Sequence, residues 1–353
     1  MNLKFNWANS FSEGLAAVLI DGKWGYINKQ GQLIIEPQFT DASDFNNNIA
    51  IAGIENKRFC IDQSGKIISE EYRRISTFYE GLADVGLKGK TGYIDLSGKL
   101  VIPLKFLSAQ NFSDGMGPVY IDSKQLGFIN TKGEMVIDPI YHSTYGFNEG
   151  IAAITTKNGH GYINYLGEPI TSFNLCSAER FSNGLAAACF KRDTGYHYIN
   201  KEGEIAIEGP FNSCGKFGDN GLAIVQPMDK AGKAFGCIDR SGKMIIPAEF
   251  NNIAPFSDGL AMVERGEQSG FINEQGELVI GYNYFRKNTS GFTEGLARFS
   301  SLKKFGYYGF IDKNGEEVIE AKFNWTTFFS EGLAPVKING KWGYINKSGE
   351  QVI

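Results

Sequence analysis

Gly22-Lys23-Trp24-Gly25-Tyr26-Ile27-Asn28, with Gly31 three residues further on, decides the fold, because its pattern returns along the whole 353-residue chain. The last copy is Gly340-Lys341-Trp342-Gly343-Tyr344-Ile345-Asn346. Every copy keeps the isoleucine, the Asn or Asp after it, and the glycine three residues later. This Asn/Asp-x-x-Gly spacing is typical of a tight turn, since the short polar side chain bonds the local backbone and glycine accepts a positive φ. A β-branched doublet such as Ile34-Ile35 follows, so each copy predicts a β-hairpin.

A second landmark sets the period of the repeat. Phe11-Ser-Glu-Gly-Leu-Ala16 returns in variant form up to Ser330-Glu-Gly-Leu-Ala334, and its glycine slot indicates ten repeats of about 35 residues. Asp21-Gly22 predicts a two-residue turn between strands at 15–20 and 23–28, and a third strand follows at 32–36. Pro37 ends this third strand or marks it as a sheet edge. The aromatic stretch before the next repeat predicts a short irregular strand or a packed loop.

Composition and charge exclude several classes of protein. No segment has a helical stripe of ten residues, and 44 glycines with 47 aromatic residues favour an all-β fold. The net charge of −4 with mixed signs gives no basic field for nucleic acid. No apolar run is long enough for a membrane span. The first ten residues do not resemble a secretory signal, so we expect a cytoplasmic protein, with secretion by a signal-less route left open.

The five cysteines are odd in number and widely spaced, and none lies in a C-x-x-C pair. Disulfide frameworks and zinc sites favour even numbers or close pairs. We therefore expect reduced, mostly buried thiols. These cysteines are Cys60, Cys176, Cys189, Cys214 and Cys237.

Together, the Lys-Trp-Gly-Tyr-Ile-Asn segments, the downstream turn glycine and the Phe-x-Glu-Gly-Leu-Ala segment resemble the WG (KWG) repeat family of bacterial proteins. The resemblance covers essentially the whole chain, although the tryptophan itself is kept only at Trp24 and Trp342. It implies a β-rich repeat module that binds a partner. It implies no assigned activity and carries over no catalytic residues.

The two ends of the chain favour a closed arrangement. The segment Leu3–Gly14 matches Ala321–Gly332 almost residue for residue, while the chain stops at Ile353 directly after the third strand of the tenth repeat. We therefore expect one domain, 1–353, in which residues 1–14 complete the tenth repeat of a β-propeller-like ring without a free sheet edge. The alternative is an open β-solenoid or superhelical stack, which would need atypical polar end repeats.

Reactive groups do not converge in this sequence. His142, His160 and His197 occupy different phases of the repeat, so we expect neither a catalytic nor a metal site, and no cofactor. Gly89-Lys90-Thr91 falls in an ordinary hairpin turn, and Asp84 stands where a phosphate-binding loop requires glycine.

Acidic residues recur at one phase, directly before the slot glycine, and we interpret them as solvated turns, with a rim that steers a charged partner as the alternative. The phenylalanines that recur three positions before this glycine are interpreted as core. The acidic set is Glu13, Glu80, Asp114, Glu149, Asp258, Glu294 and Glu331.

We expect functional residues at positions where a repeat departs from the common pattern. Three first-hairpin turns are lengthened, and such insertions often lie on the binding face of an array, with sequence drift of exposed loops as the alternative explanation. The predicted binding residues in these loops are Arg192, Asp193, Asp229, Lys230, Lys303, Lys304 and Phe305. The leading hypothesis is a non-catalytic binding or scaffold module for a protein or peptide. A carbohydrate-binding array, suggested by the recurring aromatics, is the alternative, and an enzyme with a central pocket is the weakest hypothesis.

Overall fold

A computed structural model describes residues 4–190, 194–228, 234–285, 289–300 and 306–353. These residues form strands, turns and connecting segments, and no α-helix occurs among them. None of the sheets that they build is closed on itself. The chain divides into two compact units, Met1–Glu71 with Asn251–Ile353 and Tyr72–Phe250.

The first unit contains five antiparallel sheets of three or four strands. Their strands are β1 (Trp7–Ala8), β2 (Leu15–Ile20), β3 (Lys23–Asn28) and β4 (Leu33–Phe39); β5 (Asp41–Ala42), β6 (Ile49–Ile54) and β7 (Lys57–Asp62); β26 (Asn252–Ile253), β27 (Leu260–Arg265), β28 (Gln268–Asn273) and β29 (Leu278–Phe285); β30 (Phe292–Thr293), β31 (Leu296–Ser300), β32 (Tyr308–Ile311) and β33 (Glu317–Phe323); β34 (Trp325–Thr326), β35 (Ala334–Ile338) and β36 (Lys341–Ile345).

The second unit repeats the same hairpins, and in one place two repeats share a seven-stranded sheet because β22 runs on from one into the next. Its strands are β8 (Arg74–Ile75), β9 (Leu82–Leu87), β10 (Lys90–Asp95) and β11 (Leu100–Phe106); β12 (Ser108–Ala109), β13 (Met116–Tyr120), β14 (Leu126–Asn130) and β15 (Met135–Tyr141); β16 (Ser143–Asn148), β17 (Ile151–Thr156) and β18 (Gly159–Asn164); β19 (Ser177–Ala178), β20 (Ala186–Cys189), β21 (Tyr196–Ile199), β22 (Ile205–Cys214), β23 (Ala223–Pro227), β24 (Phe235–Ile238) and β25 (Met244–Phe250).

The predicted all-β repeat is confirmed, with one refinement at the third strand. Strands β2 and β3 have the predicted bounds, and the aromatic stretch holds a short strand such as β1. Pro37 lies inside β4 rather than ending it, and β4 is the edge of its sheet. The missing N–H of proline is tolerated there because an edge strand needs no donor on its outer side.

A bulge in β4 explains the glycine of the Trp-Gly pair. Trp24 lies opposite Phe39 and Tyr26 opposite Ile35, so the backbone around Pro37 carries extra residues opposite Gly25. A Cβ on Gly25 would stand 2.5 Å from the carbonyl oxygen of Ile35. This glycine is therefore required by close backbone approach, which its side-chain hydrogen alone permits.

Consecutive repeats are joined by an aromatic pair and a buried hydroxyl. Tyr26 packs edge to face on Phe45 of the next repeat, with ring centroids 4.9 Å apart, and its hydroxyl donates to the carbonyl of Ser43 at 2.8 Å. Both rings are buried, and the other recurring phenylalanines are buried as well except half-buried Phe256, which confirms the core interpretation for all but that one. Tyr93, Tyr162, Tyr198 and Tyr344 make the same donation, each to a backbone carbonyl at 2.7–2.8 Å.

The acidic residues of the shared phase join the repeats as well. Glu80 sits at φ +51° and its carboxylate accepts from the backbone N–H groups of Asp114 and Gly115, at 2.7 and 2.9 Å. Corresponding bonds to the following glycine turn are made by Asp114, Glu149, Asp258, Glu294 and Glu331. These acids do lie in turns, and Glu13, Glu80, Asp258 and Glu294 are exposed as expected, but each one also caps the turn of a neighbouring repeat, which the sequence did not predict.

Inside the first unit, the N-terminal segment contacts the tenth repeat by these same joints. Phe5 and Trp342 exchange backbone hydrogen bonds at 3.1 and 2.9 Å, as Phe39 and Trp24 pair in the first repeat. Tyr344 donates to the carbonyl of Asn9 at 2.7 Å, and Glu331 accepts from the N–H of Gly14 at 3.1 Å. The first and tenth repeats thus share one apolar cluster with Phe5, Phe11, Trp342 and Ile353 among its members.

We expect the acidic joints to make stability depend on pH. Burial alone would raise the pKa of Glu149, but the N–H of Gly184 and the ammonium of Lys201 outweigh it and hold the pKa below its usual value. A lowered folded-state pKa stabilises the fold above the unfolded-state value of about 4.3, and this contribution is lost as the pH falls through the folded-state pKa. Glu149→Gln should lower the free energy of unfolding by about 1 kcal/mol at neutral pH.

The measurement is urea unfolding of wild type and Glu149→Gln at pH 7 and near pH 3. We expect the difference between the two proteins to shrink at the lower pH. Glu202→Gln, which removes an exposed carboxylate from the same unit, serves as the matched control and should change little. A difference that is equal at both values of pH would contradict the assigned role.

Candidate functional site

The binding residues predicted from the lengthened loops all lie outside the described residues. These are Arg192, Asp193, Asp229, Lys230, Lys303, Lys304 and Phe305. A different place stands out in the second unit, where three consecutive repeats surround an open cavity of about 640 Å³. That volume lies within the range of ligand pockets in proteins.

The cavity is built from one phase of the repeat, the segment that precedes each core phenylalanine. Tyr145 comes from β16, Glu179 and Arg180 follow β19, and Lys216 follows β22. Three strands carry these positions, and each pairs with the first long strand of its own repeat: β16 with β17, β19 with β20, and the end of β22 with β23. The same backbone path therefore brings these positions to the same end of successive repeats. Phe181 and Tyr198 form the apolar floor of the cavity.

Tyr145 is the aromatic part of the site. Its side chain is 64% exposed, although tyrosine buries much of its ring in most folded settings. The corresponding position elsewhere carries small or polar residues, such as Asn9, Ser43 and Ser76. An exposed tyrosine with a polar tip is a frequent anchor at protein interfaces.

Two cations flank the cavity at one position, directly before Phe181 and Phe217. They are Arg180 and Lys216, and Arg180 donates from Nη2 to the carbonyl of Phe147 at 3.4 Å. The same position holds no cation in the other eight repeats, where the residues are Ser10, Asp44, Thr77, Asn111, Gly146, Pro255, Gly291 and Phe328. With Glu179 beside them, the rim carries two positive charges and one negative charge.

The thiol in the cavity is not an activated nucleophile. Burial raises the pKa of Cys214 to about 12, and a hydrogen bond with Tyr198 only partly opposes this shift. A thiol with such a pKa stays protonated at neutral pH, whereas catalytic cysteines need the thiolate. The cavity therefore offers an aromatic ring, two cations and an apolar floor, which are the groups of a binding site.

The expectation of five reduced cysteines was wrong for one pair. Cys176 and Cys189 form a disulfide, with their Cα atoms 5.3 Å apart. They meet because β19 pairs with β20 immediately beside Cys176. Cys60 and Cys237 are buried free thiols, as expected.

The histidines do not meet in the structure. Nδ1 of His160 lies 3.1 Å from the hydroxyl of Thr155, and Nδ1 of His197 accepts from the N–H of Gly209 at 3.0 Å. In the described part of the chain, no three His, Cys, Asp or Glu side chains are grouped so that they could hold a metal ion. Nor does any helix there have the length and apolar character needed to cross a bilayer.

Sequence reasoning missed this cavity because it searched for lengthened loops, whereas the signal lay in side chains at constant loop length. Aligning the position before each core phenylalanine shows Arg180 and Lys216 as neighbouring exceptions. The third exception is exposed Tyr145 in the preceding repeat, which lies two residues before its core phenylalanine rather than one. What the alignment could not supply is the depth of the cavity between them.

Comparison with known proteins assigns the repeats to a family. A family described as "WG containing repeat" matches residues 2–24, 24–57, 59–90, 92–124, 127–159, 161–191, 198–229, 235–267, 308–342 and 342–353. No curated protein matches the chain in sequence.

Three solved structures illustrate the structural likeness. A eukaryotic initiation factor aligns with a TM-score of 0.56 and 10% identity, over 97% of this chain and 98% of that one. BamB from Moraxella catarrhalis has a TM-score of 0.36 and 14% identity, over 63% and 81% of the two chains. Hsv2 from Kluyveromyces lactis has a TM-score of 0.37 and 9% identity, over 75% and 98%. At these identities the likeness concerns the fold alone, and the two lower scores carry no argument.

Proposed function

This chain belongs to the family of proteins with WG-containing repeats, and from that premise we propose that it is a non-catalytic module that binds a protein or peptide segment. The observation that carries the proposal is the cavity in the second unit, which is lined by exposed Tyr145, an apolar floor and the cations Arg180 and Lys216. Aromatic and arginine side chains are enriched at the energetic centres of protein interfaces.

The occupant that fits this cavity is a short peptide segment with a carboxylate and an apolar side chain. Arg180 and Lys216 supply charge-assisted donors for the carboxylate, while Phe181 and Leu185 offer apolar surface to the side chain. The openness of the cavity to solvent suits a segment that enters and leaves without local unfolding. A carbohydrate ligand remains the alternative prediction, since Tyr145 also offers an exposed ring.

A closed ring of ten repeats is part of the same proposal. Its support comes from the first unit, where Phe11, Tyr344, Glu331 and Gly14 join the first repeat to the tenth by the contacts that join consecutive repeats. The propeller-like initiation factor matches nearly the full length of the chain. A module without an unpaired end repeat presents a rigid surface, which lowers the entropic cost of binding.

The test is selection from a displayed random peptide library on purified protein. We expect wild type to enrich peptides that combine an acidic residue with an aromatic or aliphatic one. The triple variant Tyr145→Ala, Arg180→Gln, Lys216→Gln should bind the enriched peptides at least about tenfold more weakly, since each anchor contributes more than about 1 kcal/mol.

The control removes one tyrosine and two cationic side chains from other exposed positions of the second unit. Tyr79→Ala, Lys99→Gln, Lys132→Gln should bind the peptides as wild type does. Equal weakening by both triple variants would show that charge alone is sensed and would refute the assigned site. Enrichment of no peptide, together with binding on a glycan array, would favour the carbohydrate alternative.

A further inference from the structure

A second cavity, independent of the first, lies in the third repeat. It has a volume of about 490 Å³ and opens between the β9–β10 hairpin, β8 and β12. Every residue that lines it belongs to the second unit. None of them lines the candidate peptide site.

The cavity exists because two side chains are small where other repeats have large ones. Thr91 occupies the position of Trp24 and Trp342, and its side chain is buried at 4% exposure. Gly86 lies directly opposite Thr91, where the first repeat places Leu19 opposite Trp24. The loss of an indole and of an isobutyl group side by side leaves the space that the cavity occupies.

Four cations gather around this space. Arg73 precedes β8 and Arg74 begins it, while Lys88 lies in the hairpin turn and Lys90 begins β10. In that turn Lys88 has a φ of +51° and Gly89 one of +75°. The same four positions read Asn6, Trp7, Asp21 and Lys23 in the first repeat, and Thr40, Asp41, Glu55 and Lys57 in the second. The hairpin architecture therefore does not require this concentration of positive charge.

Asp84 holds one of these cations in place. Its carboxylate is 2% exposed and pairs with Nη2 of Arg74, which is itself half exposed. Six of the other nine repeats have alanine, proline or methionine at this position, the exceptions being Ile51, Ile224 and Arg298. Within the described residues, Arg73, Lys88 and Lys90 have no ion pair or side-chain hydrogen bond, so their charges are free to meet a ligand.

We propose that this cavity binds the phosphate group of a small organic phosphate ester. A phosphate monoester carries close to two negative charges and three acceptor oxygens, which suit guanidinium forks and ammonium groups arranged around one point. The volume exceeds the need of inorganic phosphate and lies in the range of small-molecule pockets. Leu87 and exposed Leu107 provide an apolar wall for the organic part of the ester.

Gly89, Lys90 and Thr91 line the proposed phosphate site, but they do not form a phosphate-binding loop. The structure places Lys88 and Gly89 in the turn between β9 and β10 and places Lys90 and Thr91 in β10, so only Gly89 of this tripeptide lies in the predicted turn. Recognition comes from cations beside β8 and at the β9–β10 turn, together with a missing indole, so the site depends on side chains particular to this repeat.

Isothermal titration calorimetry of the full chain with phenyl phosphate, inorganic phosphate and a phosphoserine peptide tests the proposal. We expect phenyl phosphate to bind most tightly. Phenol, which lacks the charge, should not bind. Absence of binding by phenyl phosphate, equal affinity for inorganic phosphate, or tighter binding of the phosphoserine peptide would each overturn the assignment to a small organic ester.

Two variants separate charge from shape. Arg73→Gln with Lys88→Gln keeps the Arg74–Asp84 pair and should weaken phenyl phosphate binding about 10- to 100-fold. Thr91→Trp restores the indole of the first and tenth repeats and should abolish binding with all four cations present. If Thr91→Trp does not fold, the double variant decides, and unchanged affinity in it overturns the proposal.

The matched control is Lys99→Gln with Lys132→Gln, two exposed lysines elsewhere in the second unit, which should leave the affinity unchanged. The triple variant of the peptide site, Tyr145→Ala, Arg180→Gln, Lys216→Gln, should also retain full phosphate binding. Loss of phosphate binding in either protein would show that net charge rather than this cavity is recognised, and would overturn the proposal.

Discussion

Phe11→Ala should destabilise the protein as strongly as Phe45→Ala, by about 3–5 kcal/mol in the free energy of unfolding. Both side chains are 1% exposed, and each packs on the tyrosine of the preceding repeat with ring centroids 4.9 Å apart. Phe45 packs on Tyr26 of the adjacent repeat in sequence, whereas Phe11 packs on Tyr344 near the other end of the chain. Equal losses therefore mean that the joint between the first and tenth repeats is as well formed in solution as an internal joint.

The measurement is urea unfolding of the two variants followed by circular dichroism and tryptophan fluorescence. In an open stack Phe11 would lie at an unpaired end, where truncation to alanine typically changes stability by less than about 1 kcal/mol. A small effect of Phe11→Ala beside a large effect of Phe45→Ala would thus refute the closed ring. Because both residues belong to the first unit, separate unfolding of the two units would not disturb the comparison.

The hairpins could be predicted from the sequence because each turn and strand is determined by residues close together in the chain. Asp21-Gly22 and the Asn28 to Gly31 turn have backbone conformations that few other residues adopt, with φ of +80° at Gly22 and +75° at Gly31. The strands beside these turns follow from short apolar runs, such as the buried Leu15 to Val18 in β2. Each of these features is contained within ten residues of chain.

The joints between repeats could not be derived in the same way. Periodicity shows that Glu13 and Glu80 share a phase, but it does not show that their carboxylates cap a turn about 35 residues away. Cys176 and Cys189 are 13 residues apart in sequence, and their bond depends on a two-residue strand that no propensity would single out. The cavity at Thr91 and Gly86 likewise depends on space left by missing side chains, which a sequence records only as small residues.

A glycine follows the variable tryptophan position in eight of the ten repeats, the exceptions being Phe59 and His197, and the contacts of each position explain why one is kept and the other varies. The tryptophan position holds Trp24, Thr91 or Leu126 in different repeats, because that side chain meets others that can change with it. The glycine lies against backbone atoms of the adjacent strand, which cannot move away without breaking the pairing of the two strands. In the sixth repeat His197 takes the glycine position, and a glycine, Gly209, stands opposite it with its N–H donating to Nδ1 of the histidine at 3.0 Å.

Gly127→Ala should accordingly lower the free energy of unfolding by about 3 kcal/mol, the upper part of the range for overpacked sites. The new Cβ would stand 2.5 Å from the carbonyl oxygen of Ile137 and 2.9 Å from the nitrogen of Pro139. Relief requires β14 and β15 to separate, which weakens their hydrogen bonds. Urea unfolding measures the loss, and strand dichroism checks that the variant folds.

Gly86→Ala is the matched control, since it adds the same methyl group to a strand of the same unit. Its Cβ would come no closer than 3.6 Å to the side chain of Arg74, and its φ lies outside the left-handed region. Alanine loses less backbone entropy on folding than glycine, so this variant should be as stable as wild type or more stable by up to about 1 kcal/mol. Equal destabilisation by the two alanines would mean that the bulge of β15 yields to a methyl group, and the retained glycine would then need an explanation other than backbone contact.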